Sequence, residues 1–298
     1  MKFLLKIIAV GLLGLTSLAN AKPLRMVVPF AAGNNADIVA RAVAANYEKI
    51  TNRAIIVENV PGNNTITGVM HFKNNKREIL LGVATSAVFN PVIRSDLPYT
   101  TQDFETIIYI GTNIGLWVAR ADSDIQVPKD LLTKMPPLVG GYVTSFNYNL
   151  NSFVKERGIK SEIANYKGAN QMLVDILNGD LKLGLMSANS TLMQMVKENR
   201  LKIVGTAYHD DLIVDNIAMP SVSRAIGIPQ YNGFVTVDLN PDLSTQEKEQ
   251  LKKDLWQAVK MSQPVLQTLN IQNDMSNDPV QIQKQFEKYR RHVQKHTQ

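Results

Sequence analysis

From Leu24 onward the chain alternates short runs of β-branched residues with helical patterns, and that alternation confines the fold to the α/β class with a mainly parallel sheet. LRMVV (Leu24–Val28) reads as a strand, and a Gly/Asn loop leads from it to a helix over 37–49, where Ile38, Ala42 and Ala45 share one face. AIIVE (54–58) reads as the second strand; a Pro-Gly-Asn-Asn loop and a helix over 65–72 follow, then ILLGV (79–83). After this βαβαβ start, strands are expected at 106–110, 116–120, 138–141, 161–165, 181–185, 201–206 and 233–237, with helices at 146–156, 170–178 and 190–199. Beyond Pro241 the pattern turns helical. Ser244 with Glu247 three residues on forms a capping box that opens a helix to about Met261, and Pro279 starts a last helix through Tyr289. A length of 298 residues suggests about two domains. The chain has no internal repeat and no low-complexity linker, so the boundaries fall inside strands, with crossovers expected near 120–123 and 206–211. The two terminal helices are expected to return to the first lobe.

The amino terminus reads as an address. Lys2 and Lys6 make a short positive region, an apolar run follows over 7–15, and Ala19-Asn20-Ala21 supplies the small-x-small pattern that precedes cleavage. A signal peptide over residues 1–21, cut after Ala21, is therefore expected. The apolar run is shorter than the roughly 20 residues needed to span a bilayer, and Asn20 and Lys22 follow it at once. Nothing later in the sequence is apolar enough to span, which points to a soluble exported protein. The chain has no cysteine, which excludes disulfide frameworks, Cys-ligated metals and thiol catalysis. Export without cysteine suits a bacterial periplasm. The formal charge of +6 is a modest excess dispersed along the chain, and two of its lysines sit in the leader, so it does not indicate nucleic acid.

Catalytic patterns are weak. Of the four histidines, His71 lies in a helix between Met70 and Phe72 and reads as structural, and His209-Asp210-Asp211 reads as a polar turn after a strand. His292 and His296 have zinc-compatible i, i+4 spacing, but they sit among Lys288, Arg290, Arg291 and Lys295, which repel a cation. No G-x-S-x-G elbow, P-loop or G-x-G-x-x-G occurs. Phe286 and Tyr289 interleave the basic terminal helix, where packing explains them better than contact with phosphate.

What remains is a set of βα loops rich in small polar residues. In open α/β sheets ligands bind at the carboxyl ends of strands, where helix N-termini present unpaired N–H groups. The loop from Pro29 to Asn35 is the strongest candidate: Gly33 permits close backbone approach, and Asn34 caps the helix with Asp37 three residues later. Asp37 is expected to be structural and the loop amides to be functional. Thr85-Ser86 and Thr144-Ser145 are similar loops. None of the three offers Arg or Lys, so recognition of an anionic or polar ligand would rest on dipoles and neutral donors. Phe30, Tyr142 and Phe146 could stack on an aromatic acid, with core packing the expected role of at least one.

These blocks resemble the Bug family, the periplasmic receptors of tripartite tricarboxylate transporters. Pro23 to Arg41 reads PLRMVVPFAAGNNADIVAR, similar to the family's PIRLVVPFPPGGxxDxxAR. ENVPG from Glu58, LLGVATSAVFNPVI from Leu80, NYKGANQMLVDILNGDL from Asn165 and AMPSVSRAIGIPQY from Ala218 resemble further family blocks in the same order. The resemblance implies a type II periplasmic-binding-protein-like fold: two α/β lobes joined by crossover strands, with lobe 1 over 22–121 plus 211–298 and lobe 2 over 122–210. It implies a receptor that closes on a di- or tricarboxylate or related organic acid and presents it to the membrane subunits of a transporter. Such a receptor acts as a monomer, without nucleic acid, metal, cofactor or enzymatic activity. An exported α/β hydrolytic enzyme and a binding protein that serves a sensor stand as alternatives.

The residues carried over as ligand contacts are Phe30, Ala32, Gly33, Asn34 and Asn35 in the first loop, and Ser86 after the third strand. In the second lobe they are Thr144, Ser145 and Phe146, with Lys167, Gly168 and Ala169 near the cleft. The sequence departs from the family at three places. Ala31-Ala32-Gly33-Asn34 replaces PPGG, Asn63-Asn64-Thr65 replaces AGG, and Met186 stands where an Asp is common. These departures imply a changed ligand or a lost transport role.

Overall fold

The computed structural model describes residues 23–75, 77–141, 144–166 and 168–297. The expected leader, Tyr142, Lys167, and the side chains of Thr144, His292 and His296 lie outside the described residues.

The chain opens with β1 (Leu24–Val28), α1 (Asn35–Thr51), β2 (Ile55–Asn59), α2 (Ile66–Asn74) and β3 (Glu78–Val83). Strand β1 lies between β2 and β3 and runs parallel to both. A central parallel strand is covered on both faces, and Met26, Val27 and Val28 meet that demand by being fully buried. A wide helical turn over Thr85–Phe89 and α3 (Asn90–Ile93) lead to β4 (Glu105–Asn113).

After the single residue Ile114 the chain enters a second sheet. Its elements are β5 (Gly115–Arg120), β6 (Leu138–Gly141), α4 (Thr144–Arg157), β7 (Glu162–Asn165), α5 (Ala169–Asn178), β8 (Leu183–Ser187), α6 (Ser190–Lys197) and β9 (Leu201–Thr206). A hairpin, β10 (Leu212–Val214) and β11 (Ile217–Met219), and α7 (Val222–Ile226) follow. Strand β12 (Gly233–Leu239) then rejoins the first sheet, and α8 (Thr245–Met261), α9 (Gln263–Thr268) and α10 (Pro279–Thr297) finish the chain.

Among the described residues the two large sheets have the orders β2-β1-β3-β12-β4 and β7-β6-β8-β5-β9. They share one plan. Three parallel strands are followed by an antiparallel strand that has just crossed from the other lobe: β12 beside β3 and β4, β5 beside β8 and β9.

Both crossovers differ from expectation. The first falls at Ile114 rather than 120–123, because β5 pairs along its length in the second sheet and buries Leu116, Trp117, Val118 and Ala119 there. The second comes after Ile228 rather than at 206–211. The hairpin packs Met219, Leu212 and Ile217 against Leu201 and Ile203, and α7 packs Val222 and Ile226 in the cluster around Trp117 and Leu131. Three-residue strands and a five-residue helix are too short to show a hydrophobic period.

The terminal helices do return to the first lobe. Leu255 and Val259 of α8 join Val39 and Val43 of α1 in one apolar cluster, and Phe286 of α10 stacks on Phe234 at 5.3 Å. The capping box is formed: the Glu247 amide donates to Ser244 Oγ, and the Ser244 amide donates to Glu247 Oε2. No described helix is long and apolar enough to cross a membrane.

Candidate ligand-binding cleft

The two crossovers lie side by side. The Gly115 amide donates to Asn232 Oδ1 at 3.1 Å, the Ala207 amide donates to Gly115 O at 2.8 Å, and Asn232 Nδ2 donates to Ala207 O at 3.2 Å. In front of this knot, between the lobes, is a small cavity. The first lobe contributes Asn34, Asn35 and Thr85, the second contributes Ser145 and Ser187, and Asn113 stands at the crossover. Phe30, Phe146 and Phe234 supply apolar wall. No described residue that lines it is charged.

The first loop is shaped by Asp37, which is 3% exposed. Its carboxylate accepts from the Gly33 amide at 2.8 Å, Asn59 Nδ2 at 2.9 Å and Arg41 Nε at 3.0 Å. Burial would push this carboxyl up, but the bonds from Arg41, Gly33 and Asn59 outweigh it and hold it below the usual carboxylate range. Asn34 caps α1 by accepting from the Asp37 amide at 3.0 Å. Asp37 is therefore structural, as the sequence suggested, and it takes the Gly33 amide for itself. Asn35 and Ala36, in the first turn of α1, line the cavity.

The second lobe brings the N-terminus of α4 to the same space through Ser145 and Phe146. Two helix N-termini converge there, each carrying the equivalent of about half a positive charge. At the cleft, hydrogen bonds join the lobes. Asn35 Nδ2 donates to Ala188 O at 3.1 Å, and Asn113 Nδ2 donates to Ser187 Oγ at 3.0 Å. Asn113 Oδ1 is screened from solvent and has no hydrogen-bond partner.

Of the residues singled out from sequence, Phe30, Asn34, Asn35, Ser145 and Phe146 line the cavity. Ala32 and Gly33 are exposed on the loop beside it. Ser86 does not line it: its hydroxyl folds back on Val83, donating to the carbonyl at 3.0 Å and accepting from the amide at 3.2 Å, and Thr85 takes its place. Gly168 and Ala169 lie at the start of α5 and are not among the lining residues. Met186 is buried in the second lobe's core, so the residue that reaches the cleft from this strand is Ser187.

Asn113, Ser187 and Phe234 went unrecognised in the sequence. The signal available was a polar residue closing an apolar strand, at Asn113 and Ser187 alike. His209 is exposed beside Asp210, at 3.1 Å, in the expected polar turn. Phe146 is at once cavity wall and core, 1% exposed.

Residues 39–295 match the family described as the tripartite tricarboxylate transporter family receptor. The chain belongs to this family. It is a family of periplasmic solute-binding receptors rather than of enzymes. A relative from Cupriavidus necator, the UPF0065 protein in the gbd 5' region, is 27% identical over 66% of this chain, a match that spans 64% of that relative's length. MatC from Rhodopseudomonas palustris, solved with bound malate, has a TM-score of 0.77 at 15% identity, covering 94% of this chain and 100% of its own. A second R. palustris protein, solved with adipate, has a TM-score of 0.78 at 16% identity, covering 94% and 98%. At these identities the likeness shows the fold, two α/β lobes around a cleft, which agrees with the two sheets seen here.

Proposed function

We propose that this chain is a periplasmic receptor that closes its lobes on a small organic acid and presents it to the membrane subunits of a tripartite tricarboxylate transporter. The observation that carries the reading is the convergence of two helix N-termini and neutral side-chain donors on an uncharged cleft. Such a site stabilises a carboxylate through oriented N–H groups without a fixed cation. Phe30, Phe146 and Phe234 give the cavity apolar wall beside its polar groups, which suits the chain of a small organic acid. The malate and adipate bound by two R. palustris proteins of the same fold support that class. Asn113 Oδ1 asks for a donor, which a ligand hydroxyl or a bridging water supplies.

In this reading the first-turn amides of α1 and the side chains of Asn34, Asn35, Thr85, Ser145 and Ser187 hold the acid. Residues 23–113 with 233–297 form the first lobe and 115–228 the second, the leader is cut after Ala21, and the receptor works as a monomer. It binds its acid without turning it over, since the lining groups offer neither a base nor an activated nucleophile.

Native mass spectrometry of the freshly purified protein, together with thermal unfolding against four- to six-carbon di- and tricarboxylates, tests the reading. At least one acid is expected to raise the melting temperature by several degrees. A flat panel with no co-purified small molecule would count against carboxylate capture.

A further inference from the structure

Away from the cleft, three chemically compatible side chains meet on the first lobe. Glu58 comes from β2, His71 from α2 and Glu78 from β3, where Val69 and Phe72 of α2 pack over Val27 and Leu80. One ligand atom from each lies within 4.8 Å of the others. His71 Nε2 stands 3.5 Å from Glu78 Oε1 and 3.7 Å from Glu58 Oε1. Both separations are long for a hydrogen bond. They are close to the roughly 3.3 Å between two ligands that each sit about 2.05 Å from a tetrahedral cation.

A second observation points the same way. The Glu78 side chain is 8% exposed, and its Oε2 has no hydrogen-bond partner. A buried carboxylate oxygen left without a partner costs stability, and a coordinated cation relieves that cost. Arg25 is the other charge at the cluster. Its Nη1 holds Glu58 Oε2 at 2.7 Å, leaving Glu58 Oε1 facing His71.

We propose that Glu58, His71 and Glu78 form a site for a divalent transition cation of the zinc type, with water completing its coordination. One imidazole nitrogen with two carboxylate oxygens suits Zn²⁺, whereas Ca²⁺ and Mg²⁺ take oxygen ligands and, for Ca²⁺, more of them. The ion would tie α2 to both flanking strands, and the site is independent of the ligand bound in the cleft. Sequence spacing does not reveal it because each ligand comes from a different element.

The test uses tag-free protein stripped with EDTA, titrated with ZnCl₂ by calorimetry and followed by thermal unfolding. Zn²⁺ is expected to raise the melting temperature by several degrees, with no comparable effect of Ca²⁺. His71→Gln and Glu78→Gln are each expected to bind Zn²⁺ at least about tenfold more weakly. Their metal-free melting temperatures and circular dichroism report whether they fold; Glu78→Gln removes a buried charge and is expected to fold at least as well as the parent. His209→Gln, on the exposed turn, is expected to bind like the parent. Absence of a Zn²⁺ shift in the parent, retention of full affinity in both cluster variants, or loss of affinity in His209→Gln would each overturn the site.

Discussion

Asn63, Asn64 and Thr65 have φ of 45°, 49° and 76°, three successive residues in the left-handed region that glycine occupies freely. They stand where the related sequences carry small residues and glycines, so the side chains have changed while the backbone keeps the turn. Asparagine tolerates this conformation, but a β-branched threonine does so at a cost of roughly 1–2 kcal/mol. Asn90 helps hold the turn: its Nδ2 donates to Asn64 O at 2.8 Å. The turn requires a left-handed residue rather than an amide side chain at Asn64, which is exposed. Asn64→Gly is therefore expected to stay within about 0.5 kcal/mol of the parent, while Asn64→Ala loses about 1 kcal/mol. Urea denaturation of the two variants checks this, and equal losses would show that the side chain, not the backbone, matters. The sequence revealed the replacement but not its consequence, because the sign of φ is set by how the turn is anchored between β2 and α2. The same limit applies to Ser86 and Thr85. The sequence located the polar pair, but only the wide turn that follows β3 decides which hydroxyl faces the cleft.

Strand β12 carries a carboxyl group inside the first sheet. Asp238 is fully buried and accepts from Thr106 Oγ1 and Thr236 Oγ1, and the bare Cα of Gly82 on the neighbouring strand makes room for it. A Cβ on Gly82 would collide with Asp238 Oδ2. Burial pushes this carboxyl up to about 7, with the two threonine bonds pulling the other way. In the unfolded chain it titrates near 4, so between about pH 4 and 7 the folded state holds the extra proton. The stability that the neutral carboxyl contributes is complete below pH 4 and is lost as pH rises through 7. Asp238→Asn should remove that loss, so the variant gains on the parent, by up to a few kcal/mol, between pH 5 and 8. Urea midpoints at the two pH values measure it, and parallel profiles would mean that Asp238 does not titrate in this window. Strand β12 itself was legible in the sequence, as were β1, β6 and β9, whose limits match those read from sequence. The hairpin β10-β11, α7 and α9 were not, since their order comes from packing on finished sheets rather than from any internal period.

The whole molecule repeats one sheet plan twice and joins the copies through adjacent crossovers, at Ile114 and the stretch before Gly233. Length and the family blocks made two lobes legible. The crossovers lay elsewhere because β5 pairs with strands that follow it in sequence, a fact of topology that a linear reading cannot supply. Contacts across the cleft set how far the lobes part. Behind the cleft wall, Tyr148 of α4 packs edge-on against Phe89 at 5.7 Å and Tyr231 at 5.3 Å, and its hydroxyl donates to Val293 O at 3.0 Å. At the cleft itself the Asn35 to Ala188 bond joins the first-lobe loop to the chain just beyond β8. That bond favours the closed form, and a ligand held by both lobes adds its differential affinity to the same equilibrium. Asn35→Ala removes the bond, worth about 0.5–1.5 kcal/mol, and shifts the ligand-free protein toward open conformations. A larger radius of gyration in small-angle scattering without ligand is the expected result. Affinity for the acid identified by thermal unfolding should fall by up to about tenfold, since 1.4 kcal/mol is a factor of ten. Unchanged scattering together with unchanged affinity would show that the aromatic contacts around Tyr148, and not the Asn35 bond, hold the lobes together.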